Sequence, residues 1–116
     1  MDDEEDIVLV CKTALSARYD VEGFSDSEEA AEQFRSDPHA YDLVLTDVKM
    51  PGLNGFELAR YLRDIRKEVP IIFMTAHDLD AAEYNSLLPW LSPSDILTKP
   101  VRMHRLLEMV DGKIRG

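Results

Sequence analysis

Two short runs of consecutive apolar residues predict strands that are buried on both faces. Residues 43–45 form the first run, and residues 71–74 form the second. Continuous runs of this kind are typical of a parallel sheet that helices cover on both sides. Asp47 lies close behind the first run, and Thr75 directly follows the second. Because open α/β sheets place their ligands at the carboxyl ends of their strands, both polar residues are candidates for a functional site.

Apolar residues at helical spacing predict a helix near the amino terminus. They follow the i, i+3, i+4, i+7, i+8 stripe of an amphipathic helix and comprise Ile7, Val10, Cys11, Ala14 and Leu15. A strand over residues 7–10 would leave too few residues before the next predicted strand for the crossover that parallel strands require. We therefore favour a helix in this segment.

Capping residues mark the ends of the later helices. Asp26 opens a second helix, which the Asp37-Pro38 dipeptide ends. Asn54, followed three residues later by Glu57, opens a third helix directly behind a turn at residues 50–52. A final helix is predicted from a stripe that comprises Met103, Leu106, Leu107, Val110 and Ile114.

Strands and helices alternate along the chain. Short strands are predicted at residues 21–24 and 95–98, besides the two buried runs. Residues 78–88 are compatible with a short helix that Pro89 and Pro93 would stop. The alternation predicts a single α/β domain over residues 1–116 with a parallel sheet.

The composition narrows the class of protein. A length of 116 residues suits one domain with its own core, and no apolar run approaches the ~20 residues of a membrane span. The amino terminus is acidic, unlike a signal peptide. With 23 acidic and 13 basic residues the net charge is -10, which disfavours direct nucleic-acid binding. The single cysteine, Cys11, cannot form an internal disulfide, which favours a cytoplasmic protein. Because no membrane span is predicted, we expect no membrane partner.

Four motifs in register carry a resemblance to a known family. They are the acid pair Asp2-Asp3, the run LTDVKMPGLNG that contains Asp47, and the dipeptides Thr75-Ala76 and Lys99-Pro100. Together they resemble the CheY-like receiver domain of two-component response regulators. The resemblance implies a flavodoxin-like, doubly wound parallel sheet with the strand order 2-1-3-4-5.

The resemblance also implies roles for the polar residues. Asp47 would accept a phosphoryl group from a histidine kinase or a phosphotransfer protein in a phosphorelay. Lys99 would pair with one phosphoryl oxygen, and the Thr75 hydroxyl would donate a hydrogen bond to another. Such a domain would be a signalling switch and not an enzyme, with self-catalysed phosphotransfer and slow autodephosphorylation.

Three acidic side chains near one sheet edge favour a hard cation. A site rich in carboxylate oxygens suits Mg²⁺, and the cation offsets the repulsion between the carboxylates. By resemblance, Asp3 would bind the metal directly and Asp2 through water. Asp47 and the backbone carbonyl of Lys49 would complete the protein ligands.

The chain departs from the family pattern in three respects. Ile96 stands where receivers usually carry an aromatic residue, and the segment around Trp90 differs from the family's regular fourth helix. The family's first strand, which precedes the acid pair and lies between the second and third strands, is missing here. We expect that this sequence is truncated and that the natural chain has an apolar strand before Met1. One alternative is direct pairing of the two neighbouring strands. Another is pairing with a strand from a second chain, as in a strand-exchange or strand-addition dimer.

Three functional hypotheses follow from these residues. The first is a stand-alone phosphoacceptor receiver that acts on an unknown downstream protein, since the chain ends with its last helix. The alternative is a phosphorylation-independent pseudo-receiver that serves as an interaction module. A phosphohydrolase with an Asp nucleophile is a third, but Lys49 occupies the position two residues after Asp47 where such enzymes commonly carry a second acid.

Overall fold

The computed structural model describes residues 1–2, 4–50, 52–75 and 95–115. In these ranges the strands are β1 (Val44–Asp47), β2 (Ile71–Thr75) and β3 (Ile96–Thr98). The helices are α1 (Glu5–Leu15), α2 (Ser27–Ser36), α3 (Gly55–Ile65) and α4 (Met103–Arg115). The predicted helix at residues 78–88 and the acid Asp3 lie outside the described residues.

The three strands form one parallel sheet in the order β1-β2-β3. In the β1–β2 register, Val44 is opposite Ile71 and Asp47 is opposite Met74. All five residues of β2 are buried, as expected for a central strand that helices cover on both faces. The predicted α/β class with a parallel sheet is therefore confirmed.

Alternate residues of β2 contribute to two cores on opposite faces of the sheet. Ile71 and Phe73 join the core on the face of α2 and α3, and Ile72 and Met74 join the core on the face of α1 and α4. The α2–α3 core contains the buried residues Ala31, Phe34, Val48, Met50, Phe56, Leu58, Ala59, Leu62 and Val69. The α1–α4 core contains Leu15, Leu97, Leu106 and Val110.

The predicted caps are present at the starts of α2 and α3. Asp26 Oδ1 accepts a hydrogen bond from the Glu28 N–H, with 2.9 Å between the two atoms. At α3, Asn54 Oδ1 accepts from the Glu57 N–H at 2.9 Å, and the Asn54 N–H donates to Glu57 Oε1 at 3.1 Å. This reciprocal capping box fixes where the helix behind Asp47 begins.

The predicted helix at the amino terminus is confirmed, but its predicted inward face is only partly correct. Leu15 is buried, and Ile7 and Cys11 are half-buried against the α1–α4 core. Val10 is 50% exposed. At about 100° per residue, Val10 lies roughly 100° from the centre of the face that Ile7, Cys11 and Leu15 form, so the buried face is narrower than the predicted stripe.

The predicted strand at residues 21–24 is wrong. This segment has no strand assignment, and its backbone contact toward the sheet is a bond from the Asp2 N–H to the Phe24 carbonyl oxygen, 3.2 Å in length. A parallel strand needs a paired neighbour along its length. Within the described ranges, β1 does not pair directly with this segment, and only Met1 and Asp2 lie between the two.

Candidate functional site

Asp47 is the last residue of β1, and its side chain is held at the carboxyl edge of the sheet. The residue is buried, with 6% of its surface exposed. Its N–H donates to the Met1 carbonyl oxygen at 2.8 Å, and its Oδ1 accepts from the Val48 N–H at 2.8 Å. The contact with Met1 therefore holds the backbone of Asp47, and the Val48 N–H orients its carboxylate.

Lys99 connects the two described carboxylates of the site. Its Nζ donates to Asp2 Oδ2 at 2.9 Å and lies 3.2 Å from Asp47 Oδ2. The Lys99 N–H donates to the Thr75 carbonyl oxygen at 2.7 Å, so the lysine is attached to the end of β2. One ammonium is thus shared by two buried acids from different parts of the chain, and it offsets one of their two negative charges.

Asp2 is buried more deeply than Asp47, with 1% of its surface exposed. Its Oδ1 accepts from the Glu4 N–H at 3.0 Å, and its Oδ2 accepts from Lys99. Sequence reasoning placed Asp2 near the site but did not predict its direct ion pair with Lys99. No local pattern in the sequence indicates this contact, because the contact depends on the path of the loop after β3.

The pKa values of the ion pair reflect burial and charge. Burial and then the negative charge of Asp2 raise the pKa of Asp47, although Lys99 and the Val48 N–H partly oppose the shift. Burial alone would lower the pKa of Lys99, but its hydrogen bond to Asp2 and the charges of both acids outweigh that effect and raise it. Lys99 is therefore held as a cation beside Asp47, whose ionisation is disfavoured by burial and by the charge of Asp2.

The other predicted site residues lie at different distances from this centre. Thr75 is buried at the carboxyl end of β2, directly after Met74, the residue that pairs with Asp47. Lys49 is exposed on the loop after β1. The structure therefore brings Asp2, Asp47 and Lys99 into contact and places Thr75 at the same sheet edge.

Gly55 is a positioning residue that sequence reasoning treated only as part of a helix start. Its N–H donates to the Val48 carbonyl oxygen at 2.7 Å. A Cβ atom at this position would lie 2.1 Å from the Asp47 carbonyl oxygen and 2.9 Å from the Val48 Cα. The close approach of α3 to the end of β1 thus requires glycine.

Comparison with known proteins assigns the family. The family model for the response regulator receiver domain matches residues 1–111. The chain belongs to this family. Receiver domains are signalling domains of two-component response regulators, as the resemblance predicted.

Relatives and solved structures agree with this assignment. Regulatory protein VanRB of Enterococcus faecalis is 34% identical over 115 residues, which cover 96% of this chain and 50% of VanRB. A response regulator receiver protein from Sinorhizobium medicae has a TM-score of 0.84 and 29% identity, with 99% of this chain and 90% of that chain covered. A CheY-like receiver domain protein from Methanospirillum hungatei has a TM-score of 0.86 and 25% identity, with 98% and 89% covered.

The matched relatives extend beyond the receiver domain. The chain spans about half the length of the first curated relatives, 50% of VanRB and 49% of the transcriptional regulatory protein RprY of Bacteroides fragilis. Within the described residues, no helix is long and apolar enough to cross a membrane.

The side chains of this receiver domain suit Mg²⁺. Asp2 and Asp47 are two buried carboxylates that lie close enough to share the Lys99 ammonium. Mg²⁺ in proteins is commonly held by one or two carboxylates together with water. In the part of the chain that the structure describes, no group of three or more His, Cys, Asp or Glu side chains is placed to hold a metal. Asp3, the third predicted acid, lies outside that part.

Proposed function

We propose that this receiver domain accepts a phosphoryl group on Asp47 from a histidine kinase or a phosphotransfer protein, with Mg²⁺ as its cofactor, and signals through a partner protein. The observation that carries the proposal is the 3.2 Å contact between Asp47 Oδ2 and Lys99 Nζ at the carboxyl edge of the sheet. A buried, oriented carboxylate beside a fixed cation suits a reaction that brings negative charge to that carboxylate.

Phosphotransfer requires one bond to form and one to break. An oxygen of Asp47 attacks the phosphorus atom, and the P–N bond of the donor phosphohistidine breaks. The imidazole leaves with that electron pair, and an aspartyl phosphate remains. Hydrogen bonds from the Val48 N–H and the backbone contact to Met1 keep the Asp47 carboxylate in place during the approach.

Lys99 has two successive tasks in this proposal. Before transfer, it pairs with both Asp2 and Asp47, which lie together in a buried site, and reduces the repulsion between them. After transfer, the same ammonium pairs with a phosphoryl oxygen, because the negative charge at Asp47 has moved outward onto the phosphoryl group. Thr75, at the end of the adjacent strand, would donate its hydroxyl to a second phosphoryl oxygen.

Asp2, Asp3, Asp47 and the Lys49 carbonyl would hold the metal. Bound Mg²⁺ would supply positive charge to the phosphoryl oxygens during transfer. Asp2 would have to exchange its contact with Lys99 for the metal or for a water bound to it. That exchange would free the ammonium of Lys99 to pair with the phosphoryl group.

Metal-dependent labelling tests the proposal. The protein is incubated with a small-molecule phosphodonor in Mg²⁺ and, separately, in excess chelator, and the intact mass is measured. We expect one added phosphoryl group with Mg²⁺ and little or none with chelator. Equal labelling in both samples would contradict the metal requirement, and no labelling in either would favour a pseudo-receiver that acts without phosphorylation.

A further inference from the structure

Thr46 is a polar residue of β1 that is completely buried, with 0% of its surface exposed. It lies on the face of the sheet that packs against α2 and α3, because Val44, two residues earlier, packs against the core on that face. Phe73, its partner in the β1–β2 register, belongs to the same core. Since valine has the same branched shape, packing alone does not account for a hydroxyl at this position.

The Thr46 hydroxyl donates a hydrogen bond to the backbone of the next residue. Its Oγ1 lies 3.0 Å from the Asp47 carbonyl oxygen, and a carbonyl oxygen can only accept. Because this bond is buried, water cannot readily replace the hydroxyl if it is removed. The side chain of Thr46 therefore holds the carbonyl end of the peptide unit between Asp47 and Val48.

The other end of this peptide unit orients the Asp47 carboxylate. The Val48 N–H donates to Asp47 Oδ1 at 2.8 Å and to the Met74 carbonyl oxygen at 3.0 Å. Because a peptide unit is planar and rigid, the Asp47 carbonyl and the Val48 N–H turn together. A rotation of the carbonyl away from the Thr46 hydroxyl would therefore also turn the N–H away from Oδ1.

The two oxygens of the Asp47 carboxylate have different partners. Oδ1 accepts from the Val48 N–H, and Oδ2 lies 3.2 Å from Lys99 Nζ. The bond to Oδ1 sets the plane of the carboxylate and thus the position of Oδ2 beside the lysine. A continuous series of contacts therefore links the Thr46 hydroxyl to the ion pair through one peptide unit.

We propose that Thr46 is a positioning residue for phosphotransfer to Asp47, because its hydroxyl fixes the peptide unit that sets the direction of the carboxylate. This inference rests on the proposed function and adds a residue to it. Thr46 takes no part in the making or breaking of bonds, since its hydroxyl is bonded to the backbone. Attack on phosphorus requires an aligned oxygen, so a small rotation of the carboxylate should slow transfer.

Two substitutions separate the hydroxyl of Thr46 from the packing of its side chain. Thr46→Val keeps the branched shape and removes the hydroxyl, whereas Thr46→Ser keeps the hydroxyl and removes the methyl group. The matched control is Ser36→Ala in α2, which removes an exposed hydroxyl that donates to the Gln33 carbonyl oxygen at 2.8 Å. The initial rate of labelling by acetyl phosphate with Mg²⁺ is measured by intact mass, and urea unfolding measures the stability of each variant.

The rate of labelling should follow the hydroxyl and not the stability of the variant. We expect labelling of Thr46→Val to slow about fivefold, the effect of one net hydrogen bond. Thr46→Ser should label at nearly the wild-type rate even if its fold is less stable, and so should Ser36→Ala. Equal slowing of Thr46→Val and Thr46→Ser would overturn the inference, because it would indicate a packing role. If Thr46→Val does not fold, Thr46→Ala replaces it, since alanine and serine differ by the hydroxyl alone.

An NMR measurement tests the hydrogen bond without phosphotransfer. The carbonyl carbon resonance of Asp47 is recorded in excess chelator and without acetyl phosphate, because hydrogen bonding to a carbonyl oxygen raises this chemical shift. The shift should fall in Thr46→Val and stay near the wild-type value in Thr46→Ser. An unchanged shift in Thr46→Val would overturn the inference.

The rate measurement also separates this inference from the proposed function. A wild-type rate of labelling in Thr46→Val would overturn the role of Thr46 alone, since Asp47 would still accept the phosphoryl group. No labelling of the wild-type protein would overturn the proposed function, and the role of Thr46 in transfer with it.

Discussion

Lys99 Nζ lies 3.2 Å from Asp47 Oδ2 and couples the end of β1 to the loop that follows β3. The same ammonium donates to Asp2 Oδ2 at 2.9 Å. Since both acids are buried, the lysine is the counter-ion on which the folded site depends.

Replacement of this lysine should destabilise the fold. Lys99→Met would leave Asp2 and Asp47 buried without their shared cation, and removal of one partner from a buried ion pair costs about 3–5 kcal/mol. Because the folded-state pKa of Lys99 is raised, its stabilisation is fully present at neutral pH and is lost only as the pH rises through that value. Urea unfolding at pH 7 and pH 3 measures the effect. The loss should shrink at pH 3, because the raised folded-state pKa of Asp47 means that its carboxyl is then protonated and no longer needs the cation. An equal loss at both pH values would contradict the ion-pair explanation.

Asp47→Asn should stabilise the fold at neutral pH. Burial and the nearby Asp2 raise the pKa of Asp47 in the folded state, so ionised Asp47 costs stability once the pH exceeds its unfolded value of about 3.9. The amide avoids this cost, and the gain should develop as the pH rises and vanish well below pH 3.9. Thermal unfolding across this range measures it. Asp42→Asn at an exposed position is the control, and a loss of stability in Asp47→Asn at pH 7 would show that the Lys99 contact outweighs burial.

Gly55→Ala should disturb the site through the backbone. The added Cβ would meet the Asp47 carbonyl oxygen at 2.1 Å, and overpacking of this kind costs about 1–3 kcal/mol. The matched control is Gly112→Ala in α4, where a Cβ would have no atom within 4 Å. We expect that control to gain about 0.5–1 kcal/mol from helix propensity. Equal unfolding free energies for the two variants would rule out the close approach.

Lys49 should slow the loss of a phosphoryl group from Asp47. Its exposed side chain follows Asp47 by two residues and can pair with a phosphoryl oxygen and obstruct attack by water. Exposed ion pairs contribute about 0.2–1 kcal/mol, so Lys49→Ala should lose the label up to a few-fold faster at the same Mg²⁺ concentration. A decay assay by intact mass measures this. An unchanged or slower rate would exclude the shielding role.

Local signals in the sequence predict most of the fold. Asn54 and Glu57 mark the start of α3 because a capping box is completed within four residues. The consecutive apolar residues of β2 predict a central strand, because a strand that is buried on both faces carries apolar side chains at successive positions. Asp47 and Thr75 are found as site candidates because each ends a strand that consecutive apolar residues predict, although β1 is only partly buried in the structure.

Contacts between distant segments cannot be predicted in this way. The strand predicted at residues 21–24 does not form, because its state depends on a neighbour and not on its own apolar residues. The Asp2–Lys99 ion pair joins residues 97 positions apart. In the sequence, Gly55 is visible only as part of a helix start, whereas its close contact with the Asp47 carbonyl oxygen depends on the path of the whole β1–α3 loop.

The most direct test of the account is the location of the phosphoryl group. Wild type, Asp47→Asn and Asp42→Asn are each incubated with a small-molecule phosphodonor and Mg²⁺, and their intact masses are compared. Asp42 is an exposed acid just before β1 and controls for nonspecific labelling. We predict one added phosphoryl group in wild type and in Asp42→Asn, and none in Asp47→Asn. Equal labelling of wild type and Asp47→Asn would contradict Asp47 as the acceptor.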